Sequence, residues 1–270
     1  MAYRTILVTL TGDSGLEARL QTAQALARRF DGALIGMHVI PPPFIPIVDG
    51  EAVTYLAPEL IEAQRQANRE VKERVQAAYQ RICDTGPTVV WQEAEGDPER
   101  LLAEAARTAD LVLAAKGDGE GMAGSHVVEQ LAIAAGVPVL MLPPDTSEVI
   151  GTSIIAGWNG SREAARTLHE ALPFLCGAER VILCAVGQEA ARDLEAAAAM
   201  LRRHGAAVQP QPIDEPGGDA GEILLAQAAA HGADLLVMGT YGHARLRELV
   251  FGGATRQVLR QATLPVLFGS

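Results

Sequence analysis

The run Asp234-Leu235-Leu236-Val237-Met238-Gly239-Thr240-Tyr241-Gly242, resumed at Phe251-Gly252-Gly253-Ala254-Thr255-Arg256-Gln257-Val258-Leu259-Arg260, is the most telling part of the chain. Leu235 to Met238 is an unbroken apolar run bounded by turn residues, which reads as a buried strand. Arg256 to Arg260 reads as the start of a helix. Between them two glycines stand three positions apart, nine residues follow, and a glycine pair closes the stretch. Glycines between a strand end and a helix N-terminus let bare backbone N–H groups approach an anion, and the helix end adds partial positive charge. The pattern is therefore of the phosphate-cradling kind. It is neither a Walker A loop nor a dinucleotide fingerprint, because no Gly-Lys-Ser/Thr follows and the glycine spacing differs. A tight turn and a helix cap would use the same glycines without any ligand.

Working outward, the stretch has a weaker twin earlier in the chain. Ala109-Asp110-Leu111-Val112-Leu113-Ala114 matches Ala233 to Met238, and Val137-Pro138-Val139-Leu140-Met141-Leu142 matches Leu264-Pro265-Val266-Leu267-Phe268. The opening strand Tyr3 to Leu10, followed by Gly12-Asp13-Ser14, matches Thr152 to Trp158, followed by Asn159-Gly160-Ser161. Ala33 to Ile40 matches Arg180 to Val186. Four landmarks in one order imply a duplication. The polar, proline-containing Pro143 to Glu148 is the join, which sets expected domains at 1–143 and 151–270. Each half reads β-α-β-α-β-α-β-α-β, an α/β domain with a doubly wound, mostly parallel sheet. Helices are expected through Leu16, Leu20, Ala23, Leu26 and Phe30, through Ala164, Leu168, Leu172 and Leu175, and from about Pro58 to Ile82. The third strands, Thr88 to Gln92 and Ala207 to Pro210, carry the weakest signal. Ligands in such sheets lie beyond the carboxyl ends of the strands, where strand order reverses. The glycine loop and the Asn159 turn would both face that crevice.

Composition narrows the classes. An apolar fraction of 49% supports a full core, and only 4% aromatic residues means aliphatic and alanine packing. A formal net charge of −11 leaves no basic stripe for nucleic acid. Cys83, Cys176 and Cys184 lack metal spacing and are odd in number, which suits buried thiols in a reducing, cytoplasmic setting. No signal peptide and no apolar run of membrane-spanning length is expected.

The spacing Gly239-x2-Gly242-x9-Gly252, with its strand before and helix after, resembles the nucleotide loop of the universal stress protein family. The resemblance covers nearly the whole chain as two tandem Rossmann-like domains, each with a five-stranded sheet. It implies binding of ATP or AMP, with or without Mg²⁺, by Met238, Gly239, Gly242, Gly252, Gly253, Ala254 and Thr255. Family members that bind nucleotide usually carry Ser or Thr where this chain has Gly253, so a hydroxyl is lost there; Thr255 is the candidate replacement. Asn159 stands where the family usually has Asp and keeps an oxygen acceptor. It, or Ser161, also suits an N-cap. Ala185 aligns with the position whose backbone contacts adenine. Trp158 is either a wall of the crevice or core. Arg245 and His243 lie in the loop within reach of phosphates, or are simply solvated. The resemblance also implies pairing of the two halves through their last strands as an internal pseudo-dimer, with a homodimer of the whole chain as a further expectation.

The halves differ. The first-half loop, Ala115 to Ser125, is three residues shorter between its glycines and carries Asp118 and Glu120, which would repel a polyphosphate. Thr11 replaces the usual Asp. The first half is therefore expected to have lost nucleotide binding, with residual anion binding at Gly124-Ser125 as the alternative. Catalytic signals are missing: there is no Gly-x-Ser-x-Gly elbow, no metal pair and no Cys-x2-Cys, and His169, His204 and His231 have no ligand spacing. Asp110 and Asp234 are expected to cap or hydrogen-bond the turns preceding their strands. Pro41-Pro42-Pro43-Phe44-Ile45-Pro46-Ile47-Val48 forms a stiff apolar arm. Three functions fit: a nucleotide-responsive stress regulator, a non-binding stress protein working through protein contacts, and a weak ATPase.

Overall fold

The computed structural model describes residues 2–44, 52–83, 89–117, 124–146, 149–215, 218–240 and 253–269. Strands β1 (Thr5–Thr9), β2 (Ala33–Ile40), β3 (Val89–Glu95), β4 (Leu111–Ala115) and β5 (Val139–Leu142) alternate with helices α1 (Leu16–Phe30), α2 (Ala52–Cys83), α3 (Pro98–Ala106) and α4 (Gly124–Ala134). The second half repeats the scheme. Its strands are β6 (Ser153–Trp158), β7 (Arg180–Val186), β8 (Val208–Ile213), β9 (Leu235–Gly239) and β10 (Val266–Gly269). Its helices are α5 (Arg162–Glu170), α6 (Leu172–Leu175), α7 (Gln188–Ala191), α8 (Leu194–Arg203), α9 (Ala220–Ala230) and α10 (Gly253–Gln261).

All the strands join one ten-stranded sheet in the order β3-β2-β1-β4-β5-β10-β9-β6-β7-β8. Each half thus has the doubly wound order 3-2-1-4-5, with a switch point between its first and fourth strands. Pairing within a half is parallel, for example Ile6 with Leu111 and Ile154 with Leu235. The two halves meet where β5 pairs antiparallel with β10, Leu140 opposite Leu267. The central strands are buried along their length, as a sheet covered by helices on both faces requires. One core includes Leu20, Leu26, Leu140, Phe174, Leu201 and Leu267; the other includes Leu131, Val139, Leu236, Val258 and Phe268. Both run unbroken across the β5–β10 seam.

Several details depart from the sequence reading. The expected helix through Leu175 breaks into α5 and α6 at Ala171, because Pro173 has no N–H for the α5 ladder and instead sits in the first turn of α6. Helix α2 begins at Ala52, a turn and more before Pro58, which it carries inside. The third strands are longer than their apolar runs: β3 reaches Glu95, and β8 reaches Ile213 through Pro210 and Pro212. Prolines at alternate positions fit an outer strand whose unpaired N–H groups face away from β7. Asp110 and Asp234 do not cap their preceding turns. Each accepts hydrogen bonds from the start of the neighbouring strand, Asp110 from the N–H groups of Arg4 and Thr5, Asp234 from those of Gly151, Thr152 and Ser153. The proline arm is described as far as Phe44. The Gln64 amide holds both the N–H and the C=O of Phe44, and Asn68 holds the carbonyl of Pro41.

Candidate functional site

At the second switch point, β6 ends in Trp158 and the chain turns through Asn159-Gly160-Ser161. Gly160 takes φ +72°, a backbone that favours glycine. Ser161 is the N-cap of α5, its Oγ accepting from Ala164 N at 3.1 Å. Asn159 Oδ1 accepts from both N and Oγ of Ser161. The oxygen is therefore spent inside the turn, and the exposed amide NH₂ is what Asn159 offers to the crevice. Gly239 closes β9 directly against the first turn of α5: a Cβ there would stand 3.1 Å from Ala164 N and from Glu163 C. Packing against α5 thus favours glycine here, whatever it does for a ligand.

The next residue, Thr240, is buried and gives both its N–H and its hydroxyl to Gly269 O. Its own carbonyl accepts the hydroxyl of Thr255 at 3.0 Å. The two ends of the glycine loop are thus tied together, and the proton of the Thr255 hydroxyl is committed to that tie. Gly242, Arg245 and Gly252, with His243, lie outside the described residues. Gly253 and Ala254 open α10, and Ala254 lies in backbone contact with the start of α9: a Cβ on Gly221 would stand 2.5 Å from Ala254 O. The first turns of α5, α9 and α10 therefore gather around the carboxyl end of β9. The helix dipoles lend this end partial positive charge, which suits an anion, while Ser161 and Asp219 already hold first-turn N–H groups of α5 and α9.

Trp158 and Ala185 are neighbours in register on β6 and β7. Ala185 is wholly buried, while Trp158 is half-buried against the core, and its Nε1 is buried without a hydrogen-bond partner. Met238 is buried on the opposite face. The structure thus gathers Gly239, Gly253, Ala254 and Thr255 at one end of the sheet, with Asn159 at the head of the adjoining α5. Trp158 and Ala185 sit in the neighbouring core.

The first switch point is built differently. Arg19 of α1, only 2% exposed, reaches into the turn after β1. It donates to Thr9 O, to Thr11 Oγ1 and to both oxygens of Asp13, the ion pair closing at 2.8 Å. Burial works against the charge of Asp13, but the hydrogen bond and charge of Arg19 outweigh it and hold the carboxyl below its ordinary range. His38, the counterpart of Ala185, is buried there too, with Nδ1 2.8 Å from Leu10 O and its ring against Trp91. At the first switch point the turn after β1 is thus occupied by the chain's own side chains, Arg19 and His38. Asp118 and Glu120, on which the sequence argument rested, lie outside the described residues. Arg19 was legible as a charge on the otherwise apolar stripe of α1.

Among the described residues no cluster of His, Cys, Asp or Glu could hold a metal, and no helix is long and apolar enough to cross a membrane. Of the three free thiols, Cys83 and Cys184 are buried, which pushes them up to about 11 and about 12; Cys176 is exposed, contrary to expectation.

Two doubly wound α/β halves sharing one sheet define the class of fold, and comparison with known proteins gives the family. The model of the universal stress protein family matches residues 2–143 and 185–268, and the chain belongs to that family. It is 26% identical over 170 residues to the universal stress protein Slr1230 of Synechocystis, a match spanning 58% of this chain and 56% of that protein, just over half its length. Its fold is similar to that of a universal stress protein from Archaeoglobus fulgidus, with TM-score 0.69, 17% identity, and coverage of 98% of this chain and 95% of the other. It is similar also to a putative universal stress protein from Pseudomonas aeruginosa, with TM-score 0.62, 18% identity, and coverage of 99% and 93%.

Proposed function

We propose that the chain is a regulatory stress protein that binds one adenine nucleotide, ATP or AMP, in the crevice of its second domain, residues 151–270. The first domain, residues 1–143, is a non-binding partner of the same fold. The observation that carries this reading is the gathering of the α5 and α10 N-termini at the end of β9, where the Gly239-x2-Gly242-x9-Gly252 spacing falls. On this reading Gly239, Gly242, Gly252, Gly253 and Ala254 offer N–H groups to phosphate, and Arg245 adds a cation. The Asn159 amide, Trp158, Ala185 and Met238 border the base and ribose, while Thr255 holds the loop closed. Mg²⁺ would enter with the phosphates. No residue is assigned to activating water, so turnover is not part of the proposal. Three free thiols support a reducing, cytoplasmic setting.

The test is calorimetric titration of nucleotide-stripped protein with ATP and AMP, each with Mg²⁺, beside Gly242→Asp. Binding near one per chain, lost in the variant, is expected. Absence of binding would recast the loop as structural. A second reading, function through protein contacts alone, draws on Phe44, which is pinned to α2 by its backbone while its side chain stays 73% exposed. Loss of a partner on Phe44→Ser, with nucleotide binding absent, would favour it.

A further inference from the structure

The N-terminus of α10 has a carboxylate for a neighbour. Asp219 is the N-cap of α9, and its Oδ1 accepts from Gly221 N at 2.8 Å and Glu222 N at 3.3 Å. Those bonds fix the side chain. The other oxygen, Oδ2, has no hydrogen-bond or ion-pair partner among the described residues and is directed at Gly253, where a Cβ would stand 3.2 Å from it. The backbone contact of Gly221 with Ala254 holds the two helix starts in this relation. Across the same junction Gln257 of α10 donates to Glu222 of α9.

A fixed carboxylate beside the start of α10 has a consequence for any anion seated there. A phosphate group seated on α10 would lie a few ångströms from a fixed negative charge, and each further phosphate charge adds repulsion. We propose that Asp219 is a specificity-determining residue that makes the site select a singly phosphorylated adenine nucleotide over a triphosphate. The proposal rests on the reading of the second-half crevice as a nucleotide site.

The test compares wild type with Asp219→Asn, titrated with AMP and ATP in EDTA and again with Mg²⁺. Asn keeps the capping oxygen and the shape of the side chain while removing its charge; Asp219→Ser, another uncharged cap, stands in if the first variant melts early. Wild type is expected to bind AMP more tightly than ATP. In the variant ATP affinity should rise about tenfold and AMP affinity by clearly less, with the ATP gain shrinking at high salt because a screened charge repels less. An unchanged AMP-to-ATP ratio would overturn the proposal and leave the nucleotide site standing. So would a fall in ATP affinity with Mg²⁺, which would mark Asp219 as a metal-facing group instead. No binding of either nucleotide by wild type or variants would overturn both.

Discussion

At the scale of single residues, the clearest energetic statement concerns Arg19 and Asp13. Taking a guanidinium to 2% exposure is costly unless it is paired, and here each of its three nitrogens finds an acceptor among Thr9 O, Thr11 Oγ1 and the two Asp13 oxygens. Removing the carboxylate strands a buried cation. Asp13→Ala should therefore cost about 3–5 kcal/mol, and adding Arg19→Met to it should cost less than the sum of the single changes. Urea unfolding of the four proteins of that cycle measures both. The pair also sets an acid limb. The folded carboxyl titrates below its ordinary 3.8, so its contribution is complete above that value and is lost as pH falls through the depressed one. Arg19→Met should flatten the loss of stability below about pH 4, read as the difference between unfolding midpoints at pH 6 and pH 3. The same residue carries a lesson about function. A charge on an apolar helical stripe is visible in sequence, but what it fills depends on the turn it reaches, and only the folded neighbours of Asp13 and Thr11 disclose that.

At the scale of elements, α10 is held from its C-terminal end. Lys116, at the end of β4, donates to Arg260 O and Ala262 O at 2.9 and 2.7 Å, so a first-half cation caps the C-terminus of α10. Burial lowers the ammonium's pKa, but the two carbonyls and the helix dipole favour its charge. Lys116→Met should destabilise by about 1–2 kcal/mol and speed amide exchange along α10, measured by hydrogen exchange with mass spectrometry. Gly239→Ala is a different case. Its methyl group would press on the backbone of Glu163 and Ala164, which cannot rotate away, so a loss of about 1–3 kcal/mol is expected by thermal melting. Loss of ligand binding in that variant would follow from a displaced α5 as much as from a missing contact. The strands, their order of appearance and the repeat were legible because apolar runs bounded by turn residues leave little choice. The break at Ala171 was not, since Leu168, Leu172 and Leu175 keep helical phase across it and the missing N–H of Pro173 decides locally. Asp219 was half legible: an acidic residue three positions before Glu222 signals a cap, whereas its second oxygen acquires meaning only from the approach of α10.

At the scale of the molecule, the duplication has produced one structure with a shared interior. Strands β5 and β10 are four residues each and buried, so neither half presents a finished sheet edge without the other. Over the seam, Tyr3 and Phe30 of the first half meet Phe174 of the second at ring separations of 5.6 and 5.4 Å, and the Tyr3 hydroxyl donates to Glu170 O at 2.7 Å. Arg29 lies against the rings of Phe30 and Phe174 and donates to Ile150 O, adding a charged bond that crosses from α1 to the start of the second half. On the other face Lys116 makes its own crossing. An isolated half would expose β5 or β10 together with this aromatic cluster, a large apolar loss at about 25 cal/mol per Å². The two halves should therefore unfold together: a single calorimetric transition whose van't Hoff and calorimetric enthalpies agree. Phe174→Ala should lower its midpoint by removing about 3–5 kcal/mol without splitting it. Two resolved transitions in wild type would mean that the seam contributes little and that each half holds its own fold. A single transition would make each half a structural partner of the other, the first stabilising β9 and α10 through the core that both share.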